Sequence, residues 1–92
     1  MKVGIEVRDS AINRIFKIIN DHINDTISMD ELLLEVFKEG VSCSDYLFLI
    51  LSHLEKHGNV KGKAGKVKVE KTVSRSLQKE IKESIILSLI HI

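Results

Sequence analysis

The chain has 92 residues, 14 Lys or Arg against 13 Asp or Glu, one cysteine, and neither proline nor tryptophan. That length suits one small domain with a single core, and 43% hydrophobic residues with no low-complexity tract exclude a disordered chain. No apolar run reaches the roughly 20 residues of a membrane span, Met1-Lys2-Val3-Gly4-Ile5-Glu6 is too charged for a signal peptide, and the lone Cys43 excludes a disulfide framework. The expectation is a cytoplasmic domain with no membrane partner.

Taken in order, Val3, Ile5 and Val7 alternate with charged residues or glycine, which predicts a short strand over residues 2–8. Asp9 or Ser10 can cap a first helix, whose Ile12, Ile15, Phe16, Ile19 and Ile23 share one face and which ends near Asn24. Asp25-Thr26 marks a turn and Thr26-Ile27 a very short strand. Ser28-Met29-Asp30-Glu31 has the form of a capping box, with Ser28 as cap. The second helix it opens is expected to bury Leu32, Leu33, Val36 and Phe37 and to stop at Gly40.

Ser42 and Ser44 are candidate caps of a third helix. Leu47, Ile50, Leu51 and Leu54 recur there at the three- and four-residue spacing of one helical face, and Gly58 supplies the left-handed residue that closes such a helix. The period then changes. Val60-Lys61-Gly62, the turn-like Lys63-Ala64-Gly65-Lys66, and the alternating Val67-Lys68-Val69-Glu70-Lys71-Thr72-Val73 predict a β-hairpin. Ser74 or Ser76 caps a fourth helix reaching about Ile90. Its Leu77, Ile81, Ile85 and Leu89 are spaced by four, and Ile86, Leu87, Ile90 and Ile92 add apolar surface on other faces. One small domain leaves such a helix partly uncovered, which predicts a homodimer through Leu77, Ile81, Ile85, Ile86 and Leu89.

Charge is segregated along the chain. Residues 1–59 carry six Lys or Arg against ten Asp or Glu, a local −4, whereas residues 60–75 carry six against one, a local +5. Residues 76–92 balance two against two. A concentrated positive patch makes a local field that the net charge of +1 conceals.

The order helix, short strand, helix, turn, helix, two-stranded wing resembles winged helix-turn-helix DNA-binding domains. The residues carrying the resemblance are Ile27-Ser28-Met29-Asp30-Glu31-Leu32-Leu33 and Leu51-Ser52-His53-Leu54-Glu55-Lys56-His57-Gly58-Asn59-Val60, within a similarity that covers about residues 10–73. The added C-terminal helix is similar to that of small archaeal and archaeal-virus transcription regulators. The expected fold is therefore mainly α with a small β-hairpin (α+β), one domain over residues 1–92 with a C-terminal dimerisation helix at about 74–91. The resemblance implies a third helix in the major groove, a wing on the phosphate backbone, and two-fold dimers on paired half-sites.

From the residues themselves, the hairpin lysines Lys61, Lys63, Lys66, Lys68 and Lys71 are candidate phosphate contacts. Strand alternation singles out Lys63, Lys66 and Lys68 as the set expected to face DNA. A solvated or protected sheet edge is the competing reading of such a strand. On the third helix, Ser44, Asp45, Leu49, Ser52 and Lys56 are candidate DNA contacts, with Phe48 and His53 flanking. Base readout normally uses Arg, Lys, Asn or Gln on such a face, whereas this one offers a leucine, an acid and a phenylalanine, and its apolar residues suit either thymine methyls or a docked protein.

His53 and His57 stand four apart, but no Cys/His cluster completes a metal site and no metal or other cofactor is expected. Cys43 reads as inert, Tyr46 as core or boundary, and no nucleophile motif or phosphate-binding glycine loop points to an enzyme. The expected function is sequence-specific binding of double-stranded DNA as a homodimeric transcriptional regulator. The alternative is a winged-helix protein–protein interaction module in a larger assembly.

Overall fold

The computed structural model describes the backbone of residues 3–42 and 44–90, and the side chains of residues 9–42 and 44–87. Cys43, His91 and Ile92 lie outside the described residues, as do the side chains of Leu89 and Ile90. Among the described residues the elements run α1 (Val3–Asp21), β1 (Thr26–Ser28), α2 (Met29–Lys38), α3 (Ser44–Lys56), β2 (Val60–Lys63), β3 (Lys66–Val69) and α4 (Arg75–Ile90). The fold is thus mainly helical with one small antiparallel sheet of order β1-β3-β2.

The first helix is longer than its sequence suggests. Residues 3–8, expected as a strand, continue α1 instead. A strand needs a neighbour to complete its hydrogen bonds, and residues 3–8 pair with no strand of the sheet, whose order is β1-β3-β2. A helix closes its bonds within itself. Asp9 and Ser10 therefore lie inside α1 rather than at its cap, and Asp9 pairs with Lys82 of α4 at 3.1 Å. The buried side of α1 is Ala11, Ile12, Ile15, Phe16, Ile18 and Ile19, packed against α2, α3 and α4.

α2 starts as its sequence indicates, with the Ser28 hydroxyl accepting from the Glu31 N–H at 3.2 Å. It ends in a Schellman motif. Gly40 takes φ +86°, its N–H bonds to the Phe37 carbonyl, and the Val41 N–H bonds back to Val36 at 3.2 Å. Arg14 Nη1 donates to the Glu39 carbonyl at 2.8 Å, tying α1 to this helix end. Leu32 and Val36 are buried as expected and Leu33 is partly buried, but Phe37 is 48% exposed and Leu34 57% exposed. In a ten-residue helix only the stripe through positions 32 and 36 reaches the core; Phe37, one residue on, turns about 100° away.

α3 buries Leu47, Ile50, Leu51 and Leu54 and ends in a second Schellman motif, with Gly58 at φ +79° and the Asn59 N–H bonded to Leu54 at 2.9 Å. The nearly buried Asn59 then fixes the far end of the hairpin. Its carbonyl accepts the Glu70 and Lys71 N–H groups, and its side-chain amide donates to the Thr72 carbonyl at 3.2 Å. On α1, Asn20 holds Val73 from both sides, accepting its N–H at 2.8 Å and donating to its carbonyl at 3.2 Å. Behind it, the Ser74 hydroxyl caps α4 by accepting from the Leu77 N–H.

α4 packs on α1 and α3 of its own chain. Ile81 and Ile85, expected at a dimer interface, are each 1% exposed and belong to this core. That expectation is corrected: a residue sealed within its own domain cannot contact a second copy without unfolding. Leu77 and Ile86 are partly buried against the same core, Leu87 is 57% exposed, and Leu89 falls outside the described side chains. No helix among the described residues is long and apolar enough to cross a membrane.

Candidate nucleic-acid interface

The register of the hairpin decides where its lysines go. A two-residue loop, Ala64-Gly65, connects β2 to β3, with φ of +53° and +75°. Positive φ at both loop positions is the turn geometry that matches the right-handed twist of the flanking strands. It pairs Lys63 with Lys66, Gly62 with Val67, Lys61 with Lys68 and Val60 with Val69. Residues directly opposite one another share a face of the sheet. One face therefore carries Val60, Gly62, Val67 and Val69, whose valines are buried. The other carries Lys61, Lys63, Lys66 and Lys68, all exposed.

β1 extends the exposed face. Thr26 pairs with Lys68 and Ser28 with Lys66, while Ile27 opposite Val67 joins the core. The sequence singled out Lys63, Lys66 and Lys68; Lys61 belongs with them, because the two strands alternate in step. Lys71 does not. It follows the end of β3, with its N–H bonded to Asn59. Lys61 Nζ stands 3.6 Å from Glu70 Oε1, a largely solvent-screened pair of small energetic weight.

The outward side of α3 is as its spacing indicates. Asp45, Leu49, Ser52 and Lys56 are exposed and Ser44 is half-buried at the helix start. Phe48 is 46% exposed and Leu49 36%. Between α3 and the hairpin runs an open trough. Phe48, Ser52 and Lys56 line its α3 end; Lys63, Lys66 and the Ala64-Gly65 turn line its hairpin end; Met29, Leu51 and Glu55 are common to both. Met29 and Glu55 were not legible as site residues, since each depends on how the hairpin leans over the helices. The Met29 N–H donates to the Gly65 carbonyl at 2.9 Å, which ties the hairpin turn to the start of α2. Gly62 faces Glu55 across the trough, where a β-carbon would stand in ordinary contact, 3.4 Å from Glu55 Oε2.

Comparison of the chain with protein-family models, with curated proteins and with solved structures yields no match. The chemistry of this surface therefore rests on its own residues. Among the described residues no group of three or more His, Cys, Asp or Glu side chains is placed to hold a metal ion. His22 is engaged structurally, with Nε2 at 2.5 Å from Glu35 and Nδ1 at 3.5 Å from Asp25. His53 is half-buried and His57 exposed near the end of α3. What the surface offers is an array of ammonium groups on the hairpin and, on α3, an outer face on which the exposed Phe48 and Leu49 stand among Asp45, Ser52 and Lys56.

Proposed function

We propose that this chain is a winged helix-turn-helix domain that binds double-stranded DNA, with α3 in the major groove and the β2–β3 hairpin as the wing on the phosphate backbone. The single observation carrying the reading is the placement of Lys61, Lys63, Lys66 and Lys68 on one exposed face. Like charges directly opposite on a sheet oppose folding. A polyanion relieves that repulsion, and release of its condensed counterions drives binding. The biological role that follows is transcriptional regulation by occupancy, in the cytoplasm, by a protein that binds as a homodimer. With Ile81 and Ile85 committed to the core, the remaining apolar surface described on α4 is Leu87 and the rims of Leu77 and Ile86. Duplex binding measured at several salt concentrations tests the reading directly, and light scattering tests the dimer.

A second reading, a protein-interaction module, is favoured by one feature, the exposure of Phe48 and Leu49 on α3. It differs in its expected response to salt. Docking through apolar side chains loses little affinity between low and moderate salt, whereas neutralising several phosphates loses orders of magnitude.

A further inference from the structure

Across its middle, the outer face of α3 lacks the side chains that read purines by paired hydrogen bonds. Of the residues that bond two positions of guanine or adenine at once, Arg, Lys, Asn and Gln, Ser44–Lys56 contains only Lys56. Lys56 is the single cation on that side, in the last turn. What the middle of the face presents is Phe48 and Leu49, 46% and 36% exposed. Ser52 follows at the i+4 and i+3 positions, so the three share one patch. Neither apolar side chain is needed to seal the core, which is closed by Leu47, Ile50, Leu51 and Leu54.

In the major groove one apolar group is available to such residues, the C5-methyl of thymine. We propose that Phe48 and Leu49 read thymine C5-methyl groups, and that the preferred duplex is rich in thymine where α3 lies. The inference rests on the duplex-DNA reading above. Continuity supports a base edge as the occupant. The apolar patch passes through Phe48, Ser52 and Lys56 into the trough whose opposite rim is Lys63 and Lys66. A duplex lying on α3 brings methyls to the helix and phosphates to Lys63 and Lys66 at the rim of the trough. Asp45 at the start of the face disfavours a nearby phosphate, and its carboxylate suits a cytosine N4 amino group instead.

The test compares two alternating duplexes, poly(dA-dT) and poly(dA-dU), which carry the same backbone charge and the same hydrogen-bonding edges and differ in the methyl. Burying one methyl is worth about a fourfold change in affinity. Wild-type protein is expected to bind poly(dA-dT) about fourfold more tightly for each methyl contacted. The double variant Phe48→Ala, Leu49→Ala, at two exposed positions, is expected to bind both polymers alike. Lys66→Ala with Lys68→Ala is expected to weaken both and leave their ratio intact. Equal wild-type affinity for the two polymers overturns the inference while leaving duplex binding standing. So does a preference that survives in the Phe48, Leu49 double variant, since the methyl then acts through duplex shape. Binding to neither polymer at low salt overturns the duplex reading itself.

Discussion

Lys61 and Lys68 stand directly opposite each other across the β2–β3 ladder, on the face of the sheet turned away from the core. Lys63 and Lys66 repeat the arrangement one pair nearer the turn. Two consecutive like-charged pairs on one face are unfavourable for an isolated domain and favourable for one that meets a polyanion. Stability and binding should therefore respond to this face with opposite signs.

Lys68→Glu tests that opposition. It places a carboxylate across from Lys61, replacing repulsion with attraction, so the midpoint of urea unfolding should rise by an amount corresponding to a few tenths of a kcal/mol, roughly. Duplex affinity should fall in the same variant. A protein that loses stability and keeps its affinity would show the lysine face to be unrelated to binding.

The turn permits a second substitution. Ala64 holds φ +53°, a left-handed conformation that costs a residue with a β-carbon about 1 kcal/mol. Asn adopts it more readily, as Asn24 does at φ +68° in this same chain. Ala64→Asn should stabilise the protein by about 0.5 kcal/mol and, although the turn lines the hairpin end of the trough, change duplex affinity less than Lys66→Ala with Lys68→Ala does. Thermal unfolding followed by circular dichroism gives the first quantity and titration gives the second.

On α4 the outcome depends on which face is changed. Ile81→Ala or Ile85→Ala should cost about 2–5 kcal/mol of unfolding free energy, because both side chains are sealed in the core. Leu87→Ser, at a position 57% exposed, should leave the unfolding midpoint nearly unchanged. If a second copy covers this end of the helix, light scattering should show the Leu87 variant alone becoming a folded monomer.

How much was legible in the sequence followed the range of the interaction that decided each feature. The Ser28 cap, the closing glycines Gly40 and Gly58, and the stripe Leu47, Ile50, Leu51 and Leu54 are set within one or two helical turns, and the structure has them as the spacing indicates. Residues 2–8 alternate like a strand, but alternation does not say whether a partner strand will be there, and residues 3–8 join α1, which closes its hydrogen bonds within itself. The apolar excess of α4 was visible; its destination was not, because the fit of Ile81 and Ile85 against α1 and α3 involves partners far along the chain. At the candidate interface, the five hairpin lysines were evident and their grouping was not. A two-residue reading of Ala64-Gly65 would have fixed Lys63 opposite Lys66, and so Lys61 opposite Lys68. Ala in place of the usual Asn at the first loop position hid that signal. The trough residues Met29 and Glu55 depend on the Met29–Gly65 hydrogen bond, which no local pattern encodes.

The most direct measurement is the affinity of the protein for a random-sequence duplex as salt is varied, for wild type and for Lys66→Ala with Lys68→Ala. Each phosphate contact adds about 0.9 to the slope of log affinity against log salt. Removing two should weaken binding similarly for every sequence and flatten the slope by roughly 1 to 2 per subunit. Equal affinity of the two proteins at every salt concentration would contradict a DNA-binding role for the lysine face, and leave it a solvated surface.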